Sequence, residues 1–234
     1  MQAVILAGGL ATRLRPLTQQ TPKCMIKIQE KPFLQYQLEL LAKNDITEVV
    51  LCLGHLARQV EEFFGDGSKW RVRLTYSIED EKLLGTAGAL RNAIKYLQPQ
   101  FLVIYGDSYL DFPYSDIIEE FHRSKPEVLL AVFKNFNRWD KSNLVVENGW
   151  AKIYNKKVSS SGMEYIDAGL SLFSKEIVEE IPDGQFYDLA DLYQTLAFQK
   201  RLKVYELKKR FYEVGSSKGL KEFAGMVERG VLIR

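Results

Sequence analysis

Cysteine and histidine are nearly missing from this chain, with two of each in 234 residues. Cys24 and Cys52 form no CxxC pair and no zinc spacing, so they read as reduced, small apolar residues rather than as a disulfide or metal framework. His55 and His122 lie far apart without ligand spacing, which fits helix-start or surface positions. No stretch approaches the roughly 20 apolar residues that a membrane helix requires. The opening Met1-Gln2-Ala3-Val4-Ile5-Leu6 carries no basic segment ahead of an apolar one, so no signal peptide is expected. An excess of one charge is missing too: 32 basic against 30 acidic residues leave +2. That balance argues against a polyanionic partner, and Lys208-Lys209-Arg210 is too short to form a nucleic-acid surface. A cytoplasmic protein without membrane or nucleic-acid partners is expected.

What is present is ordinary globular composition, 46% hydrophobic and 26% charged. A core of this size needs no staple, and neither a repeat nor a linker divides the chain, so a single domain over residues 1–234 is expected. In the first half, strand-like runs at Ala3 to Ala7, Glu48 to Leu53, Arg71 to Ser77 and Phe101 to Tyr105 alternate with helical stretches. Those helices cover Phe33 to Lys43, His55 to Phe64 and Thr86 to Leu97. The order βαβαβαβ predicts an α/β fold, a mostly parallel, Rossmann-like sheet with helices on both faces. The second half is less regular. Val128 to Phe133, Leu144 to Val146, Ala151 to Tyr154 and Ala168 to Phe173 predict a smaller antiparallel extension. Helices are expected at Lys175 to Glu180, Leu189 to Phe198 and Ser217 to Val227.

The first strand runs straight into Leu6-Ala7-Gly8-Gly9-Leu10-Ala11-Thr12-Arg13-Leu14-Arg15-Pro16-Leu17-Thr18. In an open α/β sheet, ligands bind beyond the carboxyl ends of strands, where this loop lies. Paired glycines admit an anion close to backbone N–H groups, and Arg13 and Arg15 add charge. The string lacks the Lys-Ser/Thr of a P-loop and the GxGxxG of a dinucleotide fold. Read alone, Gly8-Gly9 fits a tight turn with surface arginines equally well.

The longer string Gly8-Gly9-x-x-Thr12-Arg13-Leu14-x-Pro16-Leu17-Thr18, followed by Thr21-Pro22-Lys23-x-Met25 and Lys31-Pro32-Phe33-Leu34, resembles the signature of sugar-1-phosphate nucleotidylyltransferases. Further segments along nearly the whole chain are similar to that family. Tyr76-Ser77-Ile78-Glu79 with Gly85-Thr86-Ala87-Gly88 resembles its base-recognition strand and glycine-rich helix start. Val103-Ile104-Tyr105-Gly106-Asp107 resembles its metal segment. Tyr154-Asn155-Lys156 and Tyr165-Ile166-Asp167 resemble its sugar side, and Tyr212-Glu213-Val214-Gly215-Ser216 its second metal carboxylate.

The resemblance implies a GT-A-like mixed sheet whose residues 1–110 mainly bind nucleotide and whose residues 111–234 mainly bind sugar phosphate. It implies nucleotide contacts at Leu6, Ala7, Gly8, Gly9, Thr12, Arg13, Gly85 and Thr86, with Glu79 accepting from a base amine and the glycines packing on the flat base. It places Gly106, Lys156 and Asp167 on the sugar phosphate, with Asp167 accepting from hydroxyls, and Mg²⁺ on Asp107 and Glu213. Arg13, Lys23 and Asp107 are then the catalytic residues. Four departures stand out: Ala11 where the family usually has Gly, Asn155 where many members have Glu, Glu213 in place of Asp, and one extra residue around Lys82-Leu83-Leu84. If position 11 needs a positive φ, its alanine costs about 1 kcal/mol.

The implied reaction joins a nucleoside triphosphate to a sugar 1-phosphate, releasing pyrophosphate. The nearest short members in pattern are heptose- and mannose-type guanylyltransferases, so GTP with a heptose or hexose 1-phosphate is the expectation, ahead of a UTP-dependent enzyme for an amino sugar. No β-helix of the kind that longer members add is expected after Val227, and a homo-oligomer is compatible with the resemblance. Two other classes stay open. A glycosyltransferase would need Asp-x-Asp where Asp107-Ser108-Tyr109 stands; a nucleotide-sugar sensor without catalysis would fit Ala11 and Glu213.

Overall fold

The computed structural model describes residues 1–79, 82–158 and 160–231. The first half reads β1 (Gln2–Leu6), β2 (Lys27–Ile28), β3 (Lys31–Pro32), α1 (Phe33–Lys43), β4 (Glu48–Leu53) and α2 (Ala57–Phe64). It continues with β5 (Arg73–Ile78), α3 (Gly85–Asn92), β6 (Gln100–Tyr105), β7 (Ser108–Tyr109) and α4 (Tyr114–Ser124). The second half contains β8 (Val128–Lys134), β9 (Leu144–Glu147), β10 (Trp150–Tyr154), β11 (Tyr165–Ser174) and α5 (Lys175–Glu179). It ends with α6 (Leu189–Phe198), β12 (Leu202–Glu206), β13 (Tyr212–Glu213) and α7 (Ser217–Glu228).

Nine strands form one sheet in the order β5-β4-β1-β6-β11-β8-β12-β10-β9. The first four are parallel neighbours, as the βαβ order requires. The chain winds outward from β1 through β4 to β5, then crosses to the other side of β1 as β6. The gap between β1 and β6 is therefore the topological switch point, where loops leave in opposite directions and open a crevice. All five residues of β1 are buried, and its alternation divides them: Ala3 and Ile5 join one core, Val4 and Leu6 the other. Helices α1 and α4 cover the first face, α3 and α6 the second.

The expected antiparallel extension is present: β11 pairs with both β6 and β8, so it continues the same sheet without a break, and β12 returns parallel to β8. Because β11 runs against β6, its first residues lie at the same edge as the end of β6. Helix α4 and strand β12 were not anticipated. The helix expected over Thr86 to Leu97 stops at Asn92 and tightens into a single 3₁₀ turn at Ile94–Tyr96.

Candidate active site

Five segments converge at the switch point. The loop after β1 carries Arg13 on a 3₁₀ turn at Thr12–Leu14. Ala11, which opens that turn, has φ 47° and ψ 44°, the left-handed conformation that glycine would adopt without cost. The Thr18 hydroxyl donates to the Ala11 carbonyl at 2.8 Å and closes the loop on itself. Lys23 opens a second 3₁₀ turn, Lys23–Met25.

The turn after β6 brings in Gly106 and Asp107. Gly106 donates its N–H to the Leu6 carbonyl at 2.9 Å, and a Cβ there would stand 2.8 Å from that oxygen, so only glycine lets the two loops touch. Gln37, buried on α1, donates from Nε2 to the Tyr105 and Ser108 carbonyls at 3.0 and 2.8 Å and pins this turn from below. It is a polar residue on an otherwise apolar helix face, which was the one available signal for it.

Asp107 and Glu213 do come together, though not because each follows an apolar strand-like segment and emerges at one edge of the parallel sheet, as the sequence ahead of them predicts. Glu213 does not end a strand of the main sheet. It lies on β13, which pairs with β7 in a two-stranded antiparallel ribbon, with Glu213 opposite Ser108 and the Val214 N–H donated to the Asp107 carbonyl at 2.8 Å. Around the point where a Cβ on Gly215 would sit, Glu213 Oε2 lies at 2.6 Å, Asp107 Oδ2 at 2.9 Å and Lys23 Nζ at 2.9 Å. Lys23 and Asp107 form an ion pair. The Glu213 carboxylate also accepts from the Gly215 N–H at 2.5 Å and the Ser216 hydroxyl at 2.6 Å.

On the other side stands Lys156, paired with Asp167 at 2.9 Å. The Asp167 side chain is 1% exposed, and its oxygens are already engaged. Oδ2 accepts from the Tyr154 hydroxyl at 2.8 Å, and Oδ1 from the Gly169 N–H at 2.8 Å. This corrects the expectation that Asp167 accepts from sugar hydroxyls: it holds Lys156 instead. The Lys156 ammonium also lies 4.8 Å from the Tyr105 ring centroid, within cation–π range. Burial pulls this lysine's pKa down, while Asp167 beside it, with Tyr193 and Asp107 adding to it, pushes it up, and the result lies above the ordinary lysine value. Burial, reinforced by the Asp167 charge, raises the Tyr154 hydroxyl well above its usual range, so it stays a donor.

Two adjoining clefts share this junction. One, of about 470 Å³, is lined by Leu6, Ala7, Gly9, Thr12, Lys23 and Thr86 among others. The second, of about 690 Å³, is lined by Asn155, Asp167 and Glu213 among others. Arg13, Tyr105, Asp107 and Lys156 face both. Gly8, Glu79 and Gly85 line neither cleft. Glu79 accepts from the Leu84 N–H at 2.8 Å, and its other oxygen lies 2.8 Å from where a Cβ on Gly8 would be. Burial raises its pKa, partly offset by that N–H.

Gly85 and Gly88, expected to pack on a flat base, are covered by protein. A Cβ on Gly85 would stand 2.6 Å from the Tyr187 carbonyl, and one on Gly88 2.8 Å from that of Gln185. The same segment ends in Asp188, whose carboxylate accepts from the Thr86 N–H and hydroxyl at 3.2 and 3.3 Å and which lines the smaller cleft. Its position just ahead of Leu189–Phe198 was a helix-start signal, and nothing in it pointed to the site. The thiols are buried as expected, and burial pushes Cys24 up to about 12.

The nucleotidyl transferase family's sequence model matches residues 2–223 of this chain. The chain belongs to that family. It is 32% identical over 180 residues to the D-glycero-alpha-D-manno-heptose 1-phosphate guanylyltransferase of Campylobacter jejuni, covering 77% of this chain and 79% of that one. It is also 32% identical over 214 residues to the UTP–glucose-1-phosphate uridylyltransferase of Synechocystis, covering 84% of this chain. The chain spans 55% of the length of the Synechocystis relative. Among solved structures, HddC from Yersinia pseudotuberculosis complexed with GMP-PN superposes with a TM-score of 0.79 at 26% identity, covering 97% of this chain and 99% of that one. A UDP-glucose pyrophosphorylase complexed with UDP-glucose shares the family's fold at TM-score 0.82 and 20% identity, each chain covered to 98%.

Proposed function

We propose that this protein transfers a nucleotidyl group from a nucleoside triphosphate to a sugar 1-phosphate. The observation that carries this reading is the meeting of two clefts at Arg13, Asp107 and Lys156, with Lys23 at the same junction. The sugar phosphate oxygen attacks the α-phosphorus, and the bond to pyrophosphate breaks on the opposite side, the leaving group keeping the electron pair. Such a displacement asks the protein mainly to position anions and offset developing charge. Arg13, which makes no ion pair among the described residues, holds the triphosphate and the departing pyrophosphate. Lys23 stands where the two reacting phosphates meet, and Lys156 binds the sugar phosphate. Asp167 acts through Lys156 as a positioning residue. Leu6, Ala7, Gly9, Thr12 and Thr86 form the nucleotide wall.

Asp107 and Glu213 are the residues that would hold Mg²⁺. The fit rests on two hard carboxylate oxygens converging beside Gly215, the donor set Mg²⁺ takes when phosphates complete its shell. The ion would supply charge neutralisation at the phosphate oxygens.

GTP with a heptose or hexose 1-phosphate is the substrate pair we favour, supported by the Campylobacter relative's name and the GMP-PN complex of the Yersinia structure. The Synechocystis relative favours UTP as the second reading. A cytoplasmic site of action suits these substrates. The test is a pyrophosphate-release screen of four nucleoside triphosphates against a panel of sugar 1-phosphates with Mg²⁺. Release with one matched pair is the expected result. Tight nucleotide-sugar binding without release from any pair would replace the enzyme by a sensor.

A further inference from the structure

The lining of the larger cleft includes two residues that the reaction itself does not use. Trp139 comes from the loop between β8 and β9, Arg210 from the segment before β13. The Arg210 guanidinium lies 3.8 Å from the centre of the Trp139 ring and 5.2 Å from that of Tyr212. Its Nη2 donates to Glu222 on α7 at 2.5 Å. Among the described residues, its Nε and Nη1 have no hydrogen-bond partner.

Trp139 is held by a loop with its own hydrogen bonds. Asn135 Nδ2 donates to the Asp140 carbonyl at 2.6 Å, and Asn135 Oδ1 accepts from the Trp139 N–H at 3.3 Å. Ser142 Oγ accepts from the Asn137 N–H at 3.1 Å, while Asn137 Oδ1 accepts from the Ser142 N–H at 2.8 Å. Despite the guanidinium on one face, Trp139 remains 47% exposed, and both residues line the cleft that contains Lys156. The tied loop holds the indole in place with one face open to the cleft, where a ligand can pack on it.

We infer that Trp139 and Arg210 form a specificity wall for a sugar 1-phosphate that extends beyond a hexose ring, carrying an oxygen acceptor outside the ring. This rests on the nucleotidyl-transfer reading and narrows its acceptor. With the phosphate anchored at Lys156, the remaining cleft, part of about 690 Å³, lies in the range that encloses drug-sized ligands and exceeds what a hexose monophosphate fills. The indole offers an apolar face to sugar C–H groups, and the free guanidinium N–H groups offer donors to an oxygen. Side-chain hydroxyls of a higher-carbon sugar and the carbonyl of an N-acyl sugar share that chemistry.

The test is the ratio of kcat/KM for an extended sugar 1-phosphate to that for mannose 1-phosphate, each with the best triphosphate. A heptose 1-phosphate and N-acetylglucosamine 1-phosphate serve as separate arms and distinguish the two acceptor groups. Wild-type protein should favour one extended sugar, and Arg210→Ala and Trp139→Ala should each cut that ratio by about tenfold or more, the scale set by losing a built hydrogen bond or a packed face. Trp139→Phe should recover most of it. An unchanged ratio in both variants, whatever their absolute rates, overturns the wall. If no pair releases pyrophosphate, calorimetric titration with the same three sugar phosphates replaces turnover. There, a preference for an extended sugar that both variants lose supports the wall while the transfer reading falls, and equal affinity for all three overturns the wall as well.

Discussion

The two clefts are built differently although they share four residues. The smaller is shaped by chain crossings: the β1 and β6 loops touch through Gly106 and Leu6, and the α3 start is tied to Asp188. Its main cation, Arg13, is exposed. The larger is shaped by side chains standing on antiparallel strands, and its cation is fixed in advance by Asp167, with Tyr154 and Gly169 holding that carboxylate. An exposed arginine suits a flexible polyanion that can be met in several poses. A lysine fixed by an ion pair suits a single phosphate whose oxygen must be aimed, since preorganised charge does not have to move at the moment of reaction.

Lys23 lines the smaller cleft and pairs with Asp107, which faces both, so its loss should be felt in both. Lys23→Ala is expected to lower pyrophosphate release by roughly 10²–10³-fold, the usual cost of removing one positioned charge. Its melting temperature should stay close to that of the parent protein, as Lys23 sits half-buried on a 3₁₀ turn and contributes charge rather than core packing. Near-parental turnover would remove Lys23 from the junction. Asp107→Asn should come next: about 10²-fold slower at low Mg²⁺, with part of the rate returning as Mg²⁺ is raised, because one of two anionic ligands is lost. Glu213→Gln should show the same Mg²⁺ dependence, whereas Glu213→Asp should keep part of the rate. If Asp107→Asn shifts the Mg²⁺ dependence and Glu213→Gln does not, Glu213 is only the structural partner of Gly215 and Ser216.

The contrast between the clefts also explains which parts were legible in the sequence. The parallel half was readable because β1, β4 and β6 are short apolar runs separated by helices of 3.6-residue period, and the loops at their carboxyl ends follow from topology. Lys23, Asp107 and Lys156 were placed by motif resemblance, and they do converge. Glu213 was placed beside Asp107 by an argument that failed: a two-residue ribbon with β7 brings it there, and two residues carry too little periodicity to announce a strand. Asp167 looked like a sugar ligand because Tyr165-Ile166-Asp167 resembles the family's sugar-side strand. Only the fold reveals that Tyr154 and Lys156 already surround it. Gly85 and Gly88 were misread similarly, since a missing Cβ signals a close approach without naming what approaches.

Asp167→Asn tests the ion-paired cation directly. With the carboxylate gone, its upward push is lost and the Lys156 pKa falls below its present raised position. In the parent protein this lysine keeps its charge, and the stability it contributes, at any pH below the ordinary lysine value, losing both only as pH rises through its raised pKa. The KM for sugar 1-phosphate should therefore be flat between about pH 7 and 9. In the variant it should be up by roughly tenfold, one hydrogen-bonded charge interaction, and the loss of affinity with rising pH should begin at a lower pH than in the parent protein. The KM for the triphosphate should move much less. Parallel changes in both KM values would mean that the two clefts are not separately built.

The smallest expected effect lies in the loop of the other cleft. Ala11 sits at φ 47°, a conformation in which its methyl group crowds the backbone, and the Thr18 hydroxyl and the Leu14 N–H both hold its carbonyl there. Glycine would remove the crowding but gain entropy in the unfolded chain, so the two effects partly cancel. Ala11→Gly should therefore be stabilising by about 0.5–1 kcal/mol, a rise in Tm of roughly 1–4 °C for a chain of this size. Because the change touches the smaller cleft and leaves Lys156 and Asp167 alone, any kinetic effect should appear in the KM for the triphosphate and not in that for the sugar phosphate. A lower Tm would mean that position 11 does not hold the left-handed conformation in solution. An altered sugar-phosphate KM would instead show that strain in the first loop reaches across the junction.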